Sequence, residues 1–119
     1  MTRADAFLAR LRPICLGLPE AQETTSWGHP TFKAGSRVFA VYETYKGVPS
    51  LVVKTGLAAQ PAFLRDSRFY LTPYIGAKDW VSLKVAGAVD WKEVRELVKA
   101  SYRLVASKRM LRGLDEGRG

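Results

Sequence analysis

The chain has 119 residues, of which 47% are hydrophobic, and its 19 Lys and Arg residues against 11 Asp and Glu residues give a formal net charge of +8. This length fits one domain, and the apolar content excludes wholesale disorder. A single cysteine and a single histidine exclude an internal disulfide framework and a metal site built from several such residues.

No apolar run approaches the roughly 20 residues that cross a bilayer. The N-terminus also lacks the apolar core of a signal peptide. We therefore expect a cytoplasmic protein without membrane contact, and the strongly basic balance favours polyanionic partners.

The first predicted element is an amphipathic helix over residues 3–15. Its apolar positions recur at helical spacing: Phe7, Leu8, Leu11, Ile14 and Cys15. Thr2 is placed to cap the start of this helix. Pro13 lacks an N–H and predicts a kink or an early end. Residues 20–30 are predicted to be irregular or short-stranded.

The middle of the chain predicts a β-meander, because segments rich in β-branched and aromatic residues alternate with turn signals. The glycines at Gly35 and Gly47 supply two of these turns. The predicted strands cover residues 31–34, 37–45, 48–54, 68–71 and 80–85. A short helix is predicted over 57–65, with Pro61 tolerated only in its first turn, and a loop over 72–76.

The strongest pattern begins at Asp90, which has the spacing of an N-terminal capping box with Glu93. One helical face then carries Trp91, Val94, Leu97, Val98, Ser101, Leu104 and Val105. This face predicts one helix to about Leu111, followed by a frayed tail over 112–119. We expect one α+β domain over 3–111, with an N-terminal helix, an antiparallel sheet of about five to six strands, a short central helix and a long C-terminal helix packed on one sheet face.

The surplus cations form two candidate nucleic-acid-binding sets. Four cations of the last predicted helix fall within an arc of about 80°: Lys92, Arg95, Lys99 and Arg103. Such a row can follow a phosphate backbone, although it also suits a solvated helix face. The second set is carried by the strands and either contacts nucleic acid or deters sheet-to-sheet pairing: Lys33, Arg37, Lys54 and Lys84.

No catalytic constellation is visible. His29 would need an orienting acid and a nucleophile or metal to act as a general base, and spacing pairs it with no acid. A structural role, with the ring hydrogen-bonded to a loop carbonyl, is favoured. Cys15 is expected to be an inert core residue. We therefore expect a non-enzymatic protein with no catalytic residues, no metal site and no cofactor.

Several segments in order resemble the MmcQ/YjbR family. They are Leu18-Pro19-Glu20-Ala21, Trp27-Gly28-His29-Pro30-Thr31-Phe32-Lys33, Phe39-Ala40, the stretch from Pro73 to Leu83 with Tyr74 and Trp80, and the helix from Asp90 to Lys108 with Ser101-Tyr102. The family motif residues are Trp27, Gly28, His29, Pro30, Phe32, Lys33, Tyr74 and Trp80.

This resemblance implies a compact α+β fold similar to that of the bacterial frataxin CyaY, described as a double wing, and it implies DNA binding. It does not carry iron binding across, because such sites need a ridge of carboxylates and the first helix has only Asp5.

Two functional hypotheses follow. The first is a small, monomeric protein that binds double-stranded DNA mainly through phosphate contacts of the two cation sets, with little sequence specificity. The alternative is a protein-interaction or small-ligand module that uses the sheet face and the loop from Tyr74 to Trp80.

Overall fold

The computed structural model describes residues 3–73 and 78–117, with the backbone alone for residues 3–5. The elements are α1 (Arg3–Leu16), β1 (Ala21–Ser26), β2 (His29–Ala34), β3 (Arg37–Tyr45), β4 (Val48–Lys54), α2 (Gln60–Leu64), β5 (Phe69–Leu71), β6 (Trp80–Lys84), α3 (Trp91–Val105) and α4 (Lys108–Asp115). The predicted cap Thr2 and the motif residue Tyr74 lie outside the described residues.

The six strands form one antiparallel sheet in the order β1-β2-β3-β4-β6-β5. Side chains alternate between the two faces of a strand, and one apolar row crosses the sheet where Tyr42 lies opposite Leu51 and Leu51 opposite Leu83. Helix α3 packs on β3 and β4, and α1 packs on β1 and α3. The predicted α+β class, with an antiparallel sheet of five to six strands, is confirmed.

The main core lies between α1, α3 and the sheet. Leu11 and Cys15 of α1 and Val94 and Val98 of α3 are fully buried. Burial raises the pKa of the Cys15 thiol, because the charged thiolate loses its hydration. Cys15 is therefore an unreactive core side chain, as its place on the apolar face of α1 predicts.

Two polar residues of α3 tie the helix to the rest of the fold. The fully buried Ser101 hydroxyl donates to the Phe39 carbonyl at 2.6 Å and accepts from the Lys54 N–H at 2.9 Å. The neighbouring Tyr102 hydroxyl donates to the Pro19 carbonyl at 2.6 Å. These bonds satisfy main-chain groups of β3, β4 and the α1–β1 connection, so they fix α3 against three parts of the chain.

Residues 20–30 are stranded rather than irregular, so the short strand predicted as one of two alternatives is confirmed. They form β1, the start of β2 and a two-residue turn at Trp27 and Gly28, whose φ angles are 55° and 78°. Strand β1 has the polar sequence AQETTS and lies at the sheet edge. Its conformation follows from pairing with β2 along its whole length, and no apolar alternation signals it.

Helix α1 runs three residues past Pro13, so the prediction of an early end there is wrong. Pro13 and Ala9 are both exposed. The Ala9 carbonyl, which Pro13 leaves without its helical partner, lies on the side of α1 where water can solvate it.

The predicted single C-terminal helix is divided, so its predicted continuation to about Leu111 is wrong. Ala106 and Ser107 are extended, with ψ of 148° and 165°, and separate α3 from α4. Ser107 caps α4 by accepting from the Met110 N–H. Residues 112–115, predicted as frayed tail, belong to α4, because Met110 is buried and Leu111 and Leu114 pack against the core.

Candidate nucleic-acid interface

The outer face of α3 carries the first predicted set of cations. Burial of Val94, Leu97 and Val98 against the fold turns Lys92, Arg95 and Lys99 outward, and all three cations are exposed. Asp90 starts the helix by accepting from the Lys92 and Glu93 N–H groups. The Glu93 side chain pairs with Arg68 and does not complete the predicted capping box.

Three of these four cations form no ion pair with any residue that the structure describes. Lys92, Arg95 and Lys99 form no salt bridge with any of the described residues. Arg103 donates to Asp115 of α4 at 3.0 Å, so its charge is partly offset. The exposed Glu96 lies on the same helix and adds one negative charge beside the row.

Several arginines elsewhere on the surface are paired. Arg12 contacts Glu23 at 3.0 Å, Arg109 contacts Glu20 at 2.6 Å, and Arg68 contacts both Asp66 and Glu93 at 2.7 Å. The hydrogen bond from Arg109 lowers the pKa of Glu20. The hydrogen bonds from Arg68 lower the pKa of Asp66 to about 2. Much of the acidic surface is thus engaged away from the outer row of α3.

The row formed by Lys92, Arg95 and Lys99 borders a groove between α1, α3 and α4. Its volume is about 500 Å³. Its lining combines Lys92, Arg95, Glu96 and Lys99 with Pro13, Ile14, Gly17, Leu18, Val98 and Leu114. Because the lining comes from three separate elements, the sequence alone gave no signal for it. Arg10, which no sequence pattern singled out, places its guanidinium carbon 4.6 Å from the centroid of the Trp91 ring at the start of α3.

The second predicted set is divided between two places in the fold. Lys33, Lys54 and Lys84 lie on strands β2, β4 and β6, on the sheet face opposite the α3-facing Leu51 row. Arg37 instead lines a separate cavity beside the α3–α4 junction. Lys54 is 3.7 Å from Asp79 and lies over the Trp80 ring at 5.7 Å. Lys33 and Lys84 form no salt bridge with any described residue, so among the lysines of this face only Lys54 has an acidic partner there.

The family motif residues serve different parts of the fold. Phe32 is fully buried in the core, whereas Trp27 at the tip of the β1–β2 hairpin is 96% exposed. Gly28 has a φ of 78°, which glycine adopts without strain. His29 is half-buried, as are Pro30 and Lys33. The motif is therefore spread from the core to the hairpin tip.

The predicted hydrogen bond from the His29 ring to a loop carbonyl is not found among the described residues. The His29 main-chain carbonyl instead accepts from the Thr31 hydroxyl at 3.0 Å. Within residues 3–73 and 78–117, no group of three or more His, Cys, Asp or Glu side chains is arranged to hold a metal ion.

The aromatic residues on the sheet face opposite α3, which we call the open sheet face, pack against their neighbours. The Tyr45 and Tyr70 rings stack with centroids 6.5 Å apart, and the Tyr70 hydroxyl lies 2.7 Å from the Ser50 hydroxyl. Tyr45, Tyr70 and Trp80 are half-buried. Their rings pack against neighbouring side chains but remain partly accessible, so this face still offers a surface for the protein or small ligand of the alternative hypothesis.

In the part of the chain that the structure describes, no helix is long and apolar enough to span a membrane.

A search of curated proteins finds no match to this chain. A search of solved structures finds the crystal structure of Deinococcus radiodurans protein DR2400, which has a DUF419 family domain. The two share 22% identity with a TM-score of 0.74, over 94% of this chain and 88% of that one. This likeness shows a shared fold.

The sequence model of the YjbR family matches residues 16–104. The match extends from the end of α1 almost to the end of α3 and includes Trp27, Trp80 and the Ser101-Tyr102 pair. The chain therefore belongs to the YjbR family, as the resemblance of its motifs predicted.

Proposed function

We propose that this protein binds double-stranded DNA through electrostatic contacts of Lys92, Arg95 and Lys99 with the phosphate backbone. The observation that carries the proposal is the contrast in pairing: these three cations share one exposed helix face without an ion-pair partner among the described residues, whereas Arg12, Arg68 and Arg109 are paired. In this role the protein is non-enzymatic, monomeric and cytoplasmic.

The helix geometry suits a backbone contact. At 1.5 Å per residue, Lys92 and Lys99 are about 10 Å apart along the α3 axis. DNA carries one negative charge per about 1.7 Å of helix axis. A cation row of this length can therefore meet several phosphates and release their counterions. Phosphate contacts carry no sequence information, so binding is expected to be largely independent of sequence.

Fluorescence anisotropy with a labelled duplex tests the proposal. We expect micromolar or weaker binding at low salt that weakens steeply as salt is added. The variant Lys92→Gln/Arg95→Gln/Lys99→Gln removes the row while keeping long polar side chains on an exposed helix face. It should lose at least about tenfold in affinity, a difference of about 1.4 kcal/mol.

The matched control is Lys33→Gln/Lys54→Gln/Lys84→Gln, which makes the same change in net charge on the open sheet face. It should weaken binding much less. Absence of binding by the unchanged protein at low salt would refute DNA binding. Equal losses in the two triple variants would show that general charge, rather than the α3 row, determines affinity. A larger loss in the sheet-face variant would move the interface to the sheet.

A further inference from the structure

The groove beside α3 combines two features that neither DNA contact nor packing requires together. We call its apolar lining the floor, formed by the buried or half-buried Ile14, Leu18, Val98 and Leu114. We call its exposed α3 cations the rim, formed by Lys92, Arg95 and Lys99. Ile14 and Leu114 are only partly buried, so the floor remains accessible. A phosphate backbone would use the rim but leave the floor unfilled.

We propose that this groove binds a small amphipathic anion, with an apolar body on the floor and one carboxylate or phosphate group at the cationic rim. Its volume of about 500 Å³ falls within the range of about 300–1,000 Å³ of small-molecule sites. Such sites are typically apolar with a few polar groups that fix orientation. Charge complementarity selects an anion, because the rim cations have no carboxylate partner among the described residues.

The polar lining also limits the charge of the ligand. Glu96 lies in the same lining as the three cations, so the rim has a surplus of two positive charges. One anionic headgroup is accommodated by this surplus, whereas a ligand with several separated anionic groups would bring one of them near Glu96. The site therefore favours one anionic headgroup on a hydrocarbon or aromatic body.

The ligand would share its cations with the proposed DNA interface. A bound anion at Lys92, Arg95 and Lys99 would neutralise the charges that phosphates need, so the two ligands should compete. This consequence rests on the proposed function, but binding of the amphipathic anion itself does not. The two proposals can therefore fail separately.

Isothermal titration with three probes tests the ligand class. Sodium decanoate combines both required features, decanol lacks the charge, and sodium acetate lacks the apolar body. Decanoate should bind with a dissociation constant below about 1 mM, and the other two probes should bind at least about tenfold more weakly. Equal binding of decanol or acetate, or no decanoate binding at about 5 mM, would overturn the proposal.

Filling the floor separates this site from the DNA interface. Leu114→Trp and, independently, Ile14→Trp add bulk to the floor while keeping all three cations. Each should weaken decanoate binding at least about tenfold and leave DNA affinity unchanged. The matched control Leu104→Trp enlarges an exposed α3 leucine that does not line the groove. It should leave decanoate binding unchanged, and thermal unfolding should confirm that each variant is folded.

Competition between decanoate and labelled duplex tests whether the two ligands share the rim cations. Decanoate should displace labelled duplex from the unchanged protein but not from a folded floor variant. If decanoate binds while the unchanged protein never binds DNA, the groove assignment stands and the proposed function fails. If every floor variant that folds binds decanoate as tightly as the unchanged protein, the groove assignment is wrong.

Discussion

The inner and outer faces of α3 differ in whether their polar side chains have partners within the described part of the fold. On the inner face, the Ser101 and Tyr102 hydroxyls both bond main-chain groups at distances of 2.6 to 2.9 Å. On the outer face, Lys92, Arg95 and Lys99 have no ion-pair partner among the described residues. A buried polar group without a partner would cost stability, whereas an exposed cation is solvated by water. One helix thus separates groups that hold the fold from groups free to meet an anion.

Ser101→Ala should give the largest loss of stability. It leaves the Phe39 carbonyl and the Lys54 N–H without the hydroxyl that joins them to α3, and each unsatisfied buried group costs about 1–3 kcal/mol. We expect the free energy of unfolding to fall by about 2–4 kcal/mol in urea denaturation. Ala100→Ser, one position away on the exposed side, is the control and should change little. A loss no larger than that of the control would contradict the assigned role of Ser101.

Tyr102→Phe should cost about 1 kcal/mol, because it removes one hydrogen bond to the Pro19 carbonyl. Desolvation and, next, the Glu20 charge raise the pKa of Tyr102 above its ordinary value. The contribution of its protonated hydroxyl is therefore complete below about pH 10 and is lost as pH rises through the raised value. The stability difference between the two proteins, measured in urea, should narrow above pH 10. If the difference in unfolding free energy stayed constant above pH 10, ionisation of Tyr102 would not be linked to stability.

Trp27→Asn changes a side chain that is almost fully exposed, in contrast to the buried Ser101 and Tyr102. Trp27 has positive φ in a turn that favours Asn-Gly, and its 96% exposed ring contributes no burial. The variant should gain about 0.5 kcal/mol in thermal or urea unfolding. A clear loss of stability would show that the ring supports the fold despite its exposure.

Removing the Asp66 carboxylate should change stability least of all, because water screens the exposed ion pair between Asp66 and Arg68. Hydrogen bonds from Arg68 lower the pKa of Asp66 to about 2. Its contribution to stability is present above the ordinary value of about 4 and is lost as pH falls to about 2. Asp66→Asn should therefore flatten the acid limb of the stability profile, most visibly at low salt. An unchanged profile at low salt would show that the pair contributes nothing.

The sequence predicts those elements whose capping residues and apolar spacing lie within the element itself. Asp90 marks the start of α3, and the apolar spacing of Val94, Leu97 and Val98 identifies its buried face. The same spacing places Lys92, Arg95 and Lys99 outward, so half of the candidate site could be read from one helix. The strands rich in β-branched residues were also located, because their periodicity is local.

The parts that the sequence did not predict depend on contacts between distant residues. The sequence left β1 undecided between a short strand and irregular structure, because this polar segment is defined by its pairing with β2. The break between α3 and α4 depends on Ser107, whose capping role gave no apolar signal. The groove floor joins Ile14 and Leu114, which are far apart in the chain, and Arg103 meets Asp115 only because α4 turns back at the break. Such features follow from tertiary packing.

Phosphate contact by α3 is best tested by the salt dependence of DNA affinity for the unchanged protein and the Lys92→Gln/Arg95→Gln/Lys99→Gln variant. Each phosphate contact contributes about 0.9 to the slope of log affinity against log salt concentration. If the three cations each neutralise a phosphate, the slope of the variant should be shallower by up to about 2.7. Equal slopes for the two proteins would contradict phosphate contact by the outer face of α3.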